Sequence, residues 1–287
     1  MSMFQIGVMV DSFRLELEDG IRKAREVGAA GIQIYATYGR MAPENLTVSA
    51  RKGILDIIKS EGLVVSALCG DFGGHGFAKK EHNDKRIEKS KRILDLAKDL
   101  ECDVVTTHVG VIPAEEEHPR RVVMREACEQ LGEYADSVKA FFAIETGPEP
   151  AHVLKGFLDS LHSKGVRVNF DPANLVMVLG EDPVESVNIL ADYIVHTHAK
   201  DGILVKRTDP EMIYNFFAEG GIEDFRLEDY FREVPLGKGQ VDFDRYLGAL
   251  AKTGFTGFLT IEREVGENPE QDISEAVQFL KQYVWCL

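Results

Sequence analysis

The chain has 287 residues, 44% of them hydrophobic and 28% charged, enough for one large α/β domain around a well-buried core. Its formal net charge of −15 argues against a nucleic-acid partner, because phosphate backbones are bound through basic surface. No segment carries the long apolar run that spans a bilayer, and MSMFQIGVMVDSF lacks the basic start and cleavage site of a signal peptide, so a cytoplasmic location is the expectation.

Short β-rich runs alternate with amphipathic stretches from one end to the other. The strands are expected at 4–10, 31–36, 64–70, 104–110, 141–146, 166–172, 193–200 and 256–264. The helices between and after them are expected at 17–27, 50–60, 84–99, 121–138, 149–163, 183–190, 243–252 and 273–283. Repeated strand–helix alternation implies a parallel sheet with crossover helices. Eight units favour closure into a single (β/α)8 TIM barrel spanning 1–287, with an open doubly wound sheet as the runner-up. Asp182-Pro183 reads as a helix start, and Gly28 and Gly254 as helix stops. The four cysteines, Cys69, Cys102, Cys128 and Cys286, form no metal-like spacing and read as reduced, mostly buried small side chains. The connection at 201–242 is far longer than the rest and rich in aromatics, which suits a lid or an oligomer contact. The glycine-rich segment 73–77 is a second candidate mobile loop, with His75 read as a surface histidine.

Barrel enzymes place their chemistry at the carboxyl ends of the strands. Four consecutive expected strands end in Glu145, Asp171, His198 and Glu262. Acidic residues are depleted in strands and costly to bury. Three carboxylates in one barrel mouth would repel each other unless a cation joined them. Three oxygen donors and one imidazole suit a single divalent ion, Mn²⁺ foremost, with Co²⁺, Mg²⁺ or Zn²⁺ as alternatives. Strand alternation puts Ala143, Asn169, His196 and Thr260 one layer deeper on the same face, with His196 as a hydrogen-bonded interior histidine. His108, Lys200, Glu264 and Asn174 are the candidate substrate contacts. The Gly-x-Gly of "PLGKGQ" lacks a phosphate-loop pattern and reads as a turn.

The combination "AIET…VNFDPANL…HTHAKD…FLTIERE", with "EVPLGKGQVDFDRYLGALAKTGFTGFLTIERE", resembles the xylose-isomerase-like TIM-barrel superfamily, in its sugar phosphate isomerase/epimerase group. The resemblance covers essentially the whole chain. It implies a metal held by Glu145, Asp171, His198 and Glu262, with Glu145 and Glu262 also acting as the acid–base pair. Ketose 3-epimerases of this group carry a His where this chain has Asn174, and an Arg where it has Leu204. Those departures loosen the match to ketose 3-epimerases and leave the broader class. The implied activity is metal-dependent isomerisation or epimerisation of a small sugar, ketose or polyol through proton abstraction beside a carbonyl. A dehydratase or lyase on an inosose, dehydroshikimate or keto-glycoside type of substrate is the alternative, and a non-catalytic sugar-binding barrel is the rival of another class. The expected partners are a small-molecule substrate and a second copy of the chain, with no nucleic acid and no membrane.

Overall fold

The computed structural model describes residues 4–284. Eight parallel strands close into a barrel: β1 (Gln5–Met9), β2 (Gly31–Tyr35), β3 (Val64–Cys69), β4 (Val104–Thr107), β5 (Phe141–Glu145), β6 (Val166–Phe170), β7 (Ile194–Ala199) and β10 (Phe258–Ile261). The ring shuts where β1 pairs with β10, Gln5 opposite Phe258 and Val8 opposite Ile261. Closure rules out the open sheet. The two remaining strands, β8 (Asp201–Leu204) and β9 (Phe231–Val234), form a separate antiparallel hairpin within the long connection.

The outer layer consists of α1 (Leu17–Val27), α2 (Val48–Ser60), α3 (Lys80–Asp99), α4 (Pro119–Val138), α5 (Ala151–Asp159), α7 (Pro183–Leu190), α9 (Phe243–Lys252) and α10 (Pro269–Val284). A single turn, α6 (Pro172–Asn174), follows β6, and α8 (Pro210–Ala218) lies in the connection. The caps are written in the sequence. Thr47 accepts from Ala50 N at 3.2 Å, Asp182 from Val184 N at 2.9 Å and Asp242 from Arg245 N at 3.1 Å. Gly28, at φ 95°, ends α1 in the left-handed region that a side chain would strain. The helix starting near 149 begins only after Pro150 and stops at Asp159, so His162 lies in the link behind it.

Strands covered by helices on one side and packed on each other inside read as nearly continuous apolar runs. Ile32, Ile34, Leu68, Phe142, Val168 and Phe170 meet Ile21, Ile54, Ile58, Leu94 and Leu131 from the helices in one core. Cys69, Cys102 and Cys128 are buried and free; Cys286 lies outside the described residues. Among the described residues no helix is long and apolar enough to cross a membrane.

The connection at 201–242 packs on itself and on the barrel. Phe225 stacks on Tyr230 with ring centroids 4.6 Å apart, and Phe216 touches both Phe217 and Phe225. Of its six aromatic rings only Phe217 is largely exposed; the other five are buried or half-buried. Arg120, in the first turn of α4, grips Glu211 of α8 with both guanidinium nitrogens, the longer bond 3.1 Å. His75 pairs with Glu219 beyond the other end of α8, so the glycine-rich loop is tied to the connection rather than projecting freely. That loop is also pinned by Phe77, whose N–H donates to Val109 O at 2.8 Å. The Gly-Lys-Gly turn wraps the Asp201 carboxylate, which accepts from Gly237 N at 3.0 Å, Gly239 N at 2.8 Å and Val241 N at 3.1 Å. A Cβ on Gly239 would stand 2.2 Å from Asp201 Oδ1, so the turn closes only with glycine there.

One buried carboxyl lies outside the barrel mouth proper. Glu149 accepts from Ile112 N at 3.2 Å through Oε2, while Oε1 has no partner. Burial is the dominant cause that pushes its pKa from 4.5 up to about 8, against the pull of Ile112 N, His108 and Arg121. The native state therefore holds a proton that the unfolded chain releases between pH 4.5 and 8. Stability falls as pH rises through that window, because the unfolded state binds fewer protons there. Glu149→Gln removes this contribution. Its melting temperature is expected to drop less between pH 6 and pH 9 than that of the parent; parallel melting profiles would show that Glu149 is ionised in the fold.

Candidate metal centre and cavity

Glu145 is the last residue of β5, and Asp171 and Glu262 stand one position past the last residues of β6 and β10. His198 lies in β7 one residue before its end. The expected strands overran the observed ones here because Asp171 and Glu262 have already left the ladder to face the barrel mouth. All four residues are buried, and one donor atom from each lies within 4.8 Å of the others.

The surroundings aim these atoms. Asp171 caps α6 through Oδ1, which accepts from Ala173 N at 2.7 Å and Asn174 N at 3.0 Å. Its Oδ2 is left without a hydrogen-bond partner, 3.7 Å from His198 Nδ1. Thr146 locks the same backbone, donating to Asp171 O at 3.0 Å and accepting from Asp171 N at 2.8 Å. Glu145 accepts from Asn169 at 3.0 Å on one oxygen and from Asn174 at 3.0 Å on the other.

A polar network beneath fixes the imidazole. Gln33 Nε2 donates to Thr106 Oγ1 at 2.8 Å, which turns Gln33 Oε1 toward His198 Nε2, 3.1 Å away. His198 thus carries hydrogen on Nε2, and Nδ1 faces Glu262 at 3.3 Å and Glu145 at 3.5 Å with no hydrogen-bond partner. His196 sits one layer deeper. It bridges Asn169 Oδ1 at 2.9 Å and Thr260 Oγ1 at 3.0 Å, a hydrogen-bonded interior histidine. Burial and then the neighbouring His198 hold it well below the usual histidine range, so it stays neutral.

Two bare atoms, Asp171 Oδ2 and His198 Nδ1, point at a common centre beside two more carboxylates. Orphaned buried polar atoms are costly. A divalent cation would satisfy them together, and an oxygen-rich set with one imidazole fits such an ion. Burial opposes a charge on His198, yet Glu262 and Glu145 outweigh it and lift its pKa well above the ordinary value. The centre is built for positive charge.

The cavity above this centre has a volume of about 730 Å³. Glu145, His198, Glu262, Lys200, Glu264, Asn174 and His108 all line it. These seven, with Asp171 in the cluster beneath, are the eight residues singled out by the sequence, and they meet at one mouth in differing surroundings. Asn174 is engaged by Glu145 and by Thr146 O. Lys200 Nζ donates to Glu262 at 2.9 Å and pairs with Glu264, with Asp171 and Glu233 each at 4.0 Å. Burial opposes its charge, but Glu262 and Glu264 raise its pKa well above the ordinary lysine value. It is a fixed counter-charge. His108 hydrogen-bonds Asp71 through Nδ1 at 3.1 Å and faces Glu145 at 3.7 Å. Burial works against its charge; Glu145 and Asp71 prevail and hold its pKa at about 10.

Sequence reading missed Asp71, Gln33, Thr106 and Glu233. Gln33 was legible as the polar residue amid the apolar strand "GIQIY". Glu233 gave no local signal: it comes from the hairpin strand β9 and reaches the end of the barrel by accepting from Arg263 at 2.6 Å and Glu264 N at 3.1 Å.

Comparison with known proteins agrees with this architecture. No curated protein matches the chain. Among solved structures, a xylose isomerase domain protein from Planctomyces limnophilus superposes with a TM-score of 0.79 at 24% identity, over 98% of this chain and 96% of that one. The probable 3-DHS dehydratase of petrobactin synthesis from Bacillus anthracis gives 0.75 at 19% identity, over 97% and 99%. The 3-keto-D-glucoside 4-epimerase from E. coli gives 0.71 at 16% identity, over 97% and 99%. At these identities the likeness shows the fold. The family model described as xylose isomerase-like TIM barrel matches residues 21–283, and with nearly the whole chain so covered the protein belongs to that family.

Proposed function

We propose that the chain is a divalent-metal-dependent isomerase or epimerase of a small sugar, ketose or polyol, acting by proton transfer beside a carbonyl. The observation that carries this reading is the pair of bare atoms, Asp171 Oδ2 and His198 Nδ1, converging with Glu145 and Glu262 at the floor of a large cavity. Those four residues would hold the ion, Mn²⁺ first among candidates. When bound, the ion supplies Lewis acidity to a substrate carbonyl and its neighbouring hydroxyl.

The chain's own residues do the rest. Glu145 and Glu262 approach the cavity floor from different strands, β5 and the end of β10, and each is an acceptor for a carbon-bound proton. Return of that proton to the same carbon from the other side inverts it; return to the neighbouring carbon isomerises the sugar. Lys200 keeps Glu262 ionised and in place. His108 holds a proton that it can share with a substrate oxygen. This last feature also favours the dehydratase reading, since a proton delivered to a leaving β-hydroxyl would complete an elimination. The connection at 201–242 supplies cavity wall through α8 and β9 and is proposed as the lid, fastened by Arg120–Glu211 and His75–Glu219. A non-catalytic barrel would leave two glutamates at the floor unexplained.

The test is solvent exchange. With Mn²⁺ in heavy water, ketoses, aldoses, inososes and keto-glycosides are incubated with the protein and followed by NMR. The expected result is deuterium entering carbon next to the carbonyl, with an isomer or epimer appearing. Loss of water from the product would identify the elimination, and absence of exchange across all four classes would support binding without catalysis.

A further inference from the structure

The cavity is too large and too apolar for a monosaccharide alone, and we infer that the substrate carries an apolar aglycone or comparable substituent that lies against the α8–β9 wall. The inference rests on the floor receiving a sugar carbonyl, as proposed above. A hexose has twelve heavy atoms and fills on the order of 200 Å³, well short of the cavity's size. The volume here is about 730 Å³.

The two ends differ in chemistry. The floor is ionic: Glu145, His198, Lys200 and Glu262 are all at least nine-tenths buried. Away from it the lining changes to Met177, Ile213, Leu227, Phe231, Phe217 and Val265. Exposure varies widely across this apolar lining, from Met177 at 2% and Ile213 at 4% to Val265 at 48% and Phe217 at 61%. A bare sugar presents hydroxyls in every direction and would leave this wall facing water. Large apolar side chains left exposed around a cleft mark where something apolar binds. Glu228, Arg232 and Glu233, the charged residues of the same segment in the cavity lining, are two acids and one base, so this wall offers no net positive charge for a phosphate. The aromatic cluster behind it, with Phe216 against Phe217 and Phe225, gives the wall a fixed backing. A planar or branched apolar group attached to the sugar would bury Phe217 and Phe231 while the polyhydroxylated end meets the floor.

The experiment compares methyl and phenyl 3-keto-β-D-glucosides, two ligands with the same sugar, by isothermal titration calorimetry in buffer containing Mn²⁺. The phenyl compound is expected to bind at least about 10-fold more tightly, the gain of largely burying one ring. In the Phe217→Ala/Phe231→Ala double variant the preference is expected to fall below about 3-fold, with the loss of affinity larger for the phenyl than for the methyl compound. Equal affinities in the parent protein, binding of neither compound, or a preference that survives the double variant would each overturn the inference. So would a shift of the double variant to a smaller species on sizing, which would assign the wall to contact with a second copy. Deuterium exchange of the methyl glycoside reads the proposed reaction separately. A phenyl preference without exchange keeps the inference and removes the isomerase reading; exchange without a preference does the reverse.

Discussion

Glu262→Gln, assayed with Mn²⁺ at saturation, is expected to lower turnover by about 10²–10⁴-fold, the usual worth of a positioned acid or base. Burial raises the pKa of Glu262, but the positive charges of His198 and Lys200 outweigh it and bring the carboxyl well below its ordinary value. It is therefore ionised at neutral pH and able to receive a proton. The amide of the variant keeps the shape and one oxygen for Lys200, which donates to Glu262 at 2.9 Å, yet it cannot take a proton from carbon. Glu145→Gln is expected to be as severe in rate and worse in structure. Both Glu145 oxygens accept side-chain amides, from Asn169 and Asn174, and a glutamine would turn its own N–H groups against one of them. Wash-in of deuterium into recovered substrate separates the half-reactions: a variant that still exchanges but forms no product has lost only the returning acid. Normal turnover by either variant at saturating metal would leave the cluster as a metal site served by another base.

The fold and the candidate metal-binding cluster were legible for the same reason. Barrel strands are short apolar runs at regular spacing, so a Glu, Asp, His and Glu at the ends of four successive runs stand out against Val, Ile and Phe. Parity along a strand then reaches one layer further, to Asn169, His196 and Thr260, because side chains two apart share a face. What stayed hidden depends on contacts between strands distant in sequence. Gln33 reaches His198 across 165 positions, and Asp71 reaches His108 across 37. Lys200 illustrates a subtler limit. Parity placed it at the mouth, where a free ammonium would meet substrate, whereas the structure spends its charge on Glu262 and Glu264. Glu233 illustrates another: an acidic residue in a hairpin of an irregular connection is indistinguishable from surface until the hairpin is seen folded against Arg263.

Asp171→Asn is expected to leave the metal-free fold as stable as the parent and to remove most of its stabilisation by metal. The two oxygens of Asp171 have separate duties. Oδ1 holds the start of α6 through Ala173 N and Asn174 N, and an asparagine oxygen does this equally well. Oδ2 has no hydrogen-bond partner, and in the variant an uncharged NH₂ stands there, 3.7 Å from His198 Nδ1. The change thus removes one donor to a cation without opening a cavity or uncapping a helix. Groups that only orient metal ligands are worth about 10–100-fold in affinity, so a direct ligand is worth more than about 100-fold. At a Mn²⁺ concentration about 100 times the parent's Kd, the parent gains about 2.7 kcal/mol, and a site 100-fold weaker gains about 0.4 kcal/mol. For a domain of this size that difference reads as a rise in Tm of about 5 °C against about 1 °C. Thermal melts of both proteins with and without Mn²⁺ decide it. Equal metal-induced shifts would remove Asp171 from the ligand set, and a lower Tm for the variant in the absence of metal would mean that its Oδ2 already has a structural role in the unliganded barrel.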